Sequence, residues 1–306
     1  IRAMFPQTSR AMLGQDVQQA AIQAQKDAAK AVSAQVGPEF DKLRMATIPQ
    51  ADFDAIVKDN AIVKSVYQAV KSKPEWKQAS KNVPENSVGF VEIMRQELGD
   101  RLAAAQREGQ SNKARLLGQA YDDLKVVADD AVGGDYQKAL TATREARAQI
   151  QEPLQATPLA AMAETPNLQA QLAATFAKDA SAMNLTPDKV RQTVTALGRT
   201  DPTLSKDFVG QYIKASFERV PVTSQKSLSG GSRFADNVMG NETQAANLIA
   251  AYEAAYGKGP AQGLSRLLNA LKAQGERLPV GSPTVDKAQM AERATGKIKE
   301  AISKPF

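Results

Sequence analysis

The spacing of apolar residues constrains the fold of this chain more than any other feature. Between residues 7 and 36, apolar side chains recur at intervals of four, three, four, four and three positions, which places one narrow stripe along a long helix. The stripe consists of Leu13, Val17, Ala20, Ala24, Ala28 and Ala31. No segment of useful length alternates apolar and polar residues, as a half-buried strand requires. The sequence therefore predicts an all-α fold of elongated multi-helix bundles joined by short turns.

The long N-terminal helix is rich in Ala and Gln, which are good helix formers. A stripe of alanines suits close helix packing but buries little area per residue. We therefore expect this helix to be marginal alone and prone to oligomerise. Gly37 and Pro38 are expected to end it.

Turn-rich and proline-rich segments divide the chain. The sequence KNVPENS (81–87) is rich in turn formers, and PLQATPLAAMAETP (153–166) holds three prolines. These segments predict an N-terminal helical region over residues 1–85, which contains the oligomerisation-prone helix. A set of three helices in hairpins is predicted over residues 86–165, and a C-terminal helical domain over residues 166–306.

Capping residues mark the predicted helix starts. A short polar side chain before an apolar-periodic segment accepts hydrogen bonds from free N–H groups, and proline at the next position strengthens the signal. Such residues are Asn60, Asp135, Thr186, Asp201 and Asn241. The helix after Asp201 carries the strongest apolar stripe of the C-terminal half, and a last polar helix is predicted over residues 285–303.

The absence of cysteine and histidine excludes several kinds of site. Disulfide scaffolds, zinc fingers, thiol nucleophiles and histidine-based triads all require one of these residues. The net charge is +6, but the bases are spread evenly, so attraction to DNA or to an anionic membrane is permitted rather than required. The sequence predicts no catalytic, cofactor-binding or metal site, and we expect the protein not to be an enzyme.

Neither a membrane-spanning segment nor a signal peptide is apparent in the sequence. No apolar run approaches the about 18 to 20 residues that cross a bilayer as a helix. The opening sequence IRAMFPQTSR also lacks the charged, apolar and small-residue order of a signal peptide. Because the first residue is Ile1, we expect a processed product or part of a longer chain.

Two charged clusters deserve comparison with functional sites. The pairs Asp122-Asp123 and Asp129-Asp130 lie seven residues apart, so one helix face would offer oxygen ligands for a hard cation. Since the opposite face is apolar, we interpret them as a solvated acidic surface. A second cluster is interpreted as solvated surface for the same reason: Arg144, Glu145 and Arg147.

The sequence SLSGGSRFADNVMGN (227–241) resembles a ligand-binding loop but fits no catalytic pattern. It lacks the lysine and spacing of a phosphate-binding loop, and it lacks the strand that precedes a nucleophilic serine. The structural interpretation is a flexible pair, Gly230-Gly231, followed by a short helix and its neighbour. In that interpretation Ser232 caps the short helix, Phe234 and Val238 anchor it, and Gly240 ends it. Asn241 then caps the next helix, with Gln244 as its capping-box partner. Arg233 is interpreted as an exposed surface residue.

Three stretches together resemble a known class of proteins. They are GGDYQKALTATREARAQIQEPLQATPLAAMA (133–163), GGSRFADNVMGNETQAANLIAAYEA (230–254) and LLNALKAQGERLPVGSPT (267–284). Their order and spacing resemble helical proteins encoded among tailed-phage and prophage virion genes, which are large internal or ejection-type proteins. The resemblance follows helix joints rather than catalytic residues, and it leaves the N-terminal Ala/Gln-rich part uncovered.

The resemblance implies a structural protein that lies inside the virion and leaves it with or before the genome. Implied partners are copies of itself, the portal or other ejection proteins, phage DNA through non-specific contacts, and the host envelope or periplasm after ejection. Two alternatives remain open from the sequence. One is a peptidoglycan-degrading domain that uses carboxylates, for which no particular pair of residues stands out; the other is a secreted bacterial effector or helical adaptor.

Overall fold

A computed structural model of the chain describes residues 10–72, 74, 81–177, 179–180, 183–221 and 228–276. Within these residues the fold is all-α, as predicted, and the β-type pairing is one isolated bridge between Thr47 and Ser87. The helices are α1 Arg10–Leu43, α2 Gln50–Asp59, α3 Ala61–Ser72, α4 Val88–Arg107, α5 Ser111–Ala131, α6 Asp135–Gln155, α7 Leu159–Glu164, α8 Leu168–Thr175, α9 Pro187–Thr200, α10 Pro202–Glu218, α11 Leu228–Met239, α12 Glu242–Tyr256 and α13 Lys258–Glu276.

The chain divides into two compact units. The central unit comprises Ala29–Ile150, and the terminal unit comprises Ile1–Ala28 with Gln151–Phe306. The predicted boundaries at residues 85/86 and 165/166 therefore coincide with neither edge. The reason lies in the packing, since Phe53 from before residue 85 and Phe90 from after it belong to one apolar core.

The core of the central unit is built around α3, α4 and α5. Phe53 packs edge-on against Phe90 at a centroid distance of 6.4 Å, and such pairs add to the free energy of burial. Other fully buried side chains of this core are Ile48, Val63, Val66, Met94, Leu98 and Leu124. Ser87 begins α4 by accepting a hydrogen bond from the Phe90 N–H.

The core of the terminal unit centres on stacked aromatic rings. Phe176 lies parallel to Tyr212 at 4.0 Å between centroids, and Phe208 lies 6.1 Å from Phe176. The predicted apolar stripe of the helix after Asp201 is confirmed, because its members are buried in this core: Leu204, Phe208, Val209 and Tyr212. Around them pack Val190, Val194, Leu197, Leu248 and Leu268.

The stripe of α1 is covered by the chain itself. Leu13, Val17 and Ala20 are buried in the terminal core, whereas Val32 and Val36 pack with Ala146 in the central unit. Ala31, a predicted member of the stripe, is exposed instead. The stripe therefore finds packing partners within the chain, as a helix that is marginal alone requires.

Helix α1 also continues past its predicted end. Gly37 and Pro38 lie inside it, and the helix reaches Leu43. Phe40, about one helical turn beyond Val36, packs edge-on against Tyr136 with 6.0 Å between ring centroids. Because this contact partly buries Phe40, packing favours a continued helix although glycine and proline have low helix propensity. Pro153 lies inside α6, close to the end of that helix at Gln155.

Four of the six predicted caps are confirmed, and the two at Asp135 and Ser232 are wrong. Confirmed caps accept a hydrogen bond from a backbone N–H two or three residues ahead: Asn60, Thr186, Asp201 and Asn241. Asp135 is instead the first residue of α6, and its carboxylate pairs with Lys138. The free N–H of Gln137 is satisfied from another helix, by Asp129 Oδ1 at 2.7 Å.

The glycine-rich stretch is more helical than predicted. Gly230, Gly231 and Ser232 lie within α11, so Ser232 is not a cap. A Cβ added at Gly231 would lie 2.9 Å from Leu271 Cδ2, which shows that α11 approaches α13 closely there. The predicted anchors and end are confirmed, because Phe234 and Val238 are buried and α11 ends before Gly240. Gln244 departs from the predicted capping box and donates to the Tyr212 hydroxyl at 2.8 Å.

The first residue of that stretch, Ser227, and the predicted helix over residues 285–303 lie outside the described residues.

The start of α1 is fixed in the terminal unit by a close backbone approach. The Gln171 side chain donates to Gly14 O at 2.9 Å and to Thr165 O at 2.7 Å. A Cβ added at Gly14 would lie 2.1 Å from Pro166 O, so only glycine fits between α1 and this connector. Gly14 therefore permits α1 to pack directly against the connector at Pro166.

Replacing Gly14 by alanine is expected to lower the free energy of unfolding of the terminal unit by about 1–3 kcal/mol, because the added methyl group overpacks the contact. The matched control is Gly263→Ala on α13, where an added Cβ meets nothing within 4 Å. That change is expected to raise stability by about 0.5–1 kcal/mol through helix propensity. Urea unfolding followed by circular dichroism measures the free energy of unfolding of both variants. An equal increase in both variants would contradict the close approach of α1 to Pro166.

Candidate functional site

A groove of about 940 Å³ lies between α2 and α5 in the central unit. Residues 47–60 contribute one side of its lining and residues 123–131 contribute the other. Asn60 lies beside Asp123, with 3.5 Å between its Nδ2 and the Asp123 Oδ2. We call this feature the α2–α5 groove.

Both helices present the same residue pattern to the α2–α5 groove. On α2, Asp52 and Asp59 enclose the pair Ala55-Ile56, and all of them line the groove. On α5 the corresponding residues are Asp123, Val126, Val127 and Asp130. Positions i, i+3, i+4 and i+7 share one helix face, so each helix offers an acid, an apolar pair and a second acid about two turns away.

The apolar pairs leave hydrophobic surface in contact with solvent. Val126 is 56% exposed, although Val127 and Ile56 beside it pack partly against the core. A single exposed valine is ordinary, but here it continues the apolar side chains of the groove. The apolar side chains of the groove therefore remain partly exposed to solvent.

The four groove aspartates, Asp52, Asp59, Asp123 and Asp130, give the α2–α5 groove a negative potential. None of them forms an ion pair with another described residue, and no Lys or Arg lines the groove. The nearest lysine in sequence, Lys58, pairs with Asp54 at 3.4 Å. Charges of one sign along a cleft attract ligands of the opposite sign.

The structure separates the members of the two predicted acidic pairs. Asp123 and Asp130 line the groove, whereas Asp122 is exposed and Asp129 caps α6. Adjacent helical residues point in different directions, so only one member of each pair faces α2. No cluster of three or more potential metal ligands occurs in the part of the chain that the structure describes. The second charged cluster is exposed along α6: Arg144, Glu145 and Arg147.

Sequence reasoning missed Asp52 and Asp59. The available signal was the repeat of one spacing, since D-x-x-A-I-x-x-D in α2 matches D-x-x-V-V-x-x-D in α5.

A half-buried polar network lies elsewhere in the central unit. Arg95 on α4 donates to both Glu92 oxygens, at 2.7 and 2.8 Å, and also to the Tyr121 hydroxyl on α5. Tyr136 on α6 donates its hydroxyl proton to Glu92. Burial and the Glu92 carboxylate raise the pKa of Tyr136. For Arg95, burial disfavours the charged guanidinium, but the hydrogen bonds and charge of Glu92 outweigh this effect and raise the pKa of Arg95. The network links three helices, and its carboxylate is already occupied by donors.

A second acidic cavity, the α1–α10 cleft, lies in the terminal unit. It measures about 500 Å³ and is lined by Asp16, Asp201 and Asp207, with Gln19 and Gln23 beside them. Burial and the neighbouring Asp201 charge raise the pKa of Asp207. Hydrogen bonds from the Thr203 side chain and N–H lower the pKa of Asp201. These two carboxyl groups therefore differ in their tendency to hold a proton.

No protein-family model, curated protein or solved structure matches this chain. Among the described helices, none combines the length and the apolar character that crossing a membrane requires.

Replacing Glu92 by glutamine is expected to lower the free energy of unfolding of the central unit by about 3 kcal/mol, because a half-buried guanidinium loses its charge partner. Chemical unfolding monitored by circular dichroism measures the change. The matched control is Lys138→Gln, which breaks the exposed pair with Asp135 and is expected to leave the unfolding midpoint almost unchanged. Equal effects of the two variants would show that the network contributes no more than surface charge.

Proposed function

We propose that the protein is a structural internal virion protein of a tailed bacteriophage, which oligomerises and helps to deliver the genome across the host envelope. The resemblance of residues 133–163, 230–254 and 267–284 to ejection-type virion proteins supports this proposal. Its partners are then copies of itself and the portal or other ejection proteins. Its location is the virion interior, and the host envelope or periplasm after ejection.

One structural observation supports a role in binding other proteins. The α2–α5 groove combines exposed apolar surface with four carboxylates that make no ion pair with a described residue. Exposed apolar surface bordered by polar residues is typical of protein interaction sites. A protein that assembles with others needs exposed apolar surface of this kind, and the α2–α5 groove would form contacts with other proteins of the particle.

Assembly can be tested directly on the purified chain. We expect concentration-dependent oligomers by light scattering and rings or tubes by negative-stain electron microscopy, since a conduit requires repeated contacts between copies. Circular dichroism on the same sample verifies that the chain is helical. Monomers alone at every concentration, ionic strength and lipid condition would count against the proposal.

A second candidate function rests on the α1–α10 cleft. Glycoside hydrolysis uses two carboxyl groups that lie across a cleft, and the pKa of the one that acts as the acid is raised. Asp201 and Asp207 both line a cavity with room for a sugar-sized ligand, and burial raises the pKa of Asp207. The candidate is a carboxylate-dependent peptidoglycan-degrading activity.

A zymogram on peptidoglycan separates the two candidates. If the protein is structural, no clearing is expected at any pH between about 4 and 8, and Asp207→Asn behaves like the wild type. Clearing that disappears in Asp207→Asn but persists in Asp122→Asn, an exposed carboxylate outside the cleft, would establish the enzymatic alternative.

A further inference from the structure

We propose that the α2–α5 groove binds a cationic amphipathic helix of a partner protein. The helix would carry Lys or Arg seven residues apart, with an apolar pair between them, in the pattern K-x-x-φ-φ-x-x-K, where φ is apolar. The inference deepens the proposed function, on which it rests, by stating the chemistry of one assembly partner.

The shape of the site favours a helix over other secondary structure. An amphipathic helix binds a hydrophobic groove through side chains at i, i+3, i+4 and i+7. Those are the positions through which α2 and α5 themselves face the groove. An added strand would need a free sheet edge, and the described residues form no sheet.

The spacing of charge sets the register of the partner. Asp52 and Asp59, like Asp123 and Asp130, are seven residues apart, which corresponds to about 10.5 Å along a helix axis. A partner with basic residues at the same interval would place one cation near the acids at each end of the groove while its apolar pair covers Val126 and Val127. Because exposed ion pairs stabilise only weakly, the apolar contact provides most of the affinity and the charges provide orientation.

The same charges exclude the other partners that the sequence permitted at this surface. Phosphates of DNA and headgroups of anionic lipids carry the sign of the groove aspartates, so both are repelled. A cationic helix is attracted by the charge and by the apolar surface together. Charge complementarity therefore selects a basic protein segment.

Fluorescence anisotropy with the intact protein tests the proposal. The probe is a labelled helical peptide of about 18 residues that contains two K-x-x-L-L-x-x-K repeats, and its control is a peptide of equal composition with that spacing destroyed. We expect the patterned peptide to bind at least about tenfold more tightly than the control, and to bind more weakly at high salt. Equal binding of the two peptides would overturn the proposal, because non-specific charge attraction would then suffice.

Charge-reversal variants locate the binding site. In Asp59→Lys with Asp130→Lys, both changes lie in the last turn of a helix, where a cation is favourable, so the fold is preserved. We expect the patterned peptide to bind at least about tenfold more weakly. The matched control is Asp100→Lys with Asp122→Lys, which changes the net charge equally at exposed positions outside the groove. Equal losses in both double variants would overturn the assignment to the groove.

Val126→Ser tests the apolar contribution without touching the core, because Val126 is mostly exposed. We expect weaker binding with an unchanged salt dependence, and unchanged affinity would contradict the helix-in-groove geometry. Failure of peptide binding while the wild-type chain still forms rings or tubes would remove this inference alone and leave the proposed function standing.

Discussion

The apolar stripe of α1 is the constraint on which both units depend. It is made largely of small residues, so it gains burial only where another backbone comes very close. Gly14 permits this approach in the terminal unit, where Gln171 bonds its carbonyl oxygen. Farther along the same helix, Val32 and Val36 reach Ala146. Leu13 and Val17 thus share one core with Leu159 and Leu172, although more than a hundred residues separate them in sequence.

Most helices were predictable from the sequence because their signals are local. Asn60, Thr186, Asp201 and Asn241 cap the helices that follow them, and the apolar periodicity after Asp201 marks the buried face. The helix ends were less predictable, because breaker residues act through propensities of about 1–3 kcal/mol that packing outweighs. Pro38 remains helical since Phe40 beyond it packs against Tyr136. The unit boundaries also depend on such distant contacts.

The groove was only half predictable. The seven-residue spacing on α5 identified a coherent acidic face, and the structure places Asp123 and Asp130 on it. That α2 lies opposite depends on contacts about sixty residues apart in sequence, such as Asn60 with Asp123, which no local pattern reveals. The position of Asp129 outside the groove also depends on a contact with another helix, because its carboxylate accepts a hydrogen bond from the Gln137 N–H at the start of α6. The sequence shows the matching spacing of aspartates and apolar pairs in α2 and α5, but it does not show that these two helices lie side by side.

Net charge proves a poor guide to what such a surface attracts. The chain carries +6 overall, which permits attraction to anionic partners such as DNA. Yet the two cavities described above are lined by aspartates, while bases such as Arg144 and Arg147 are exposed on α6. The sign of the charge at the groove, rather than the net charge of the whole chain, therefore decides which segments the groove attracts.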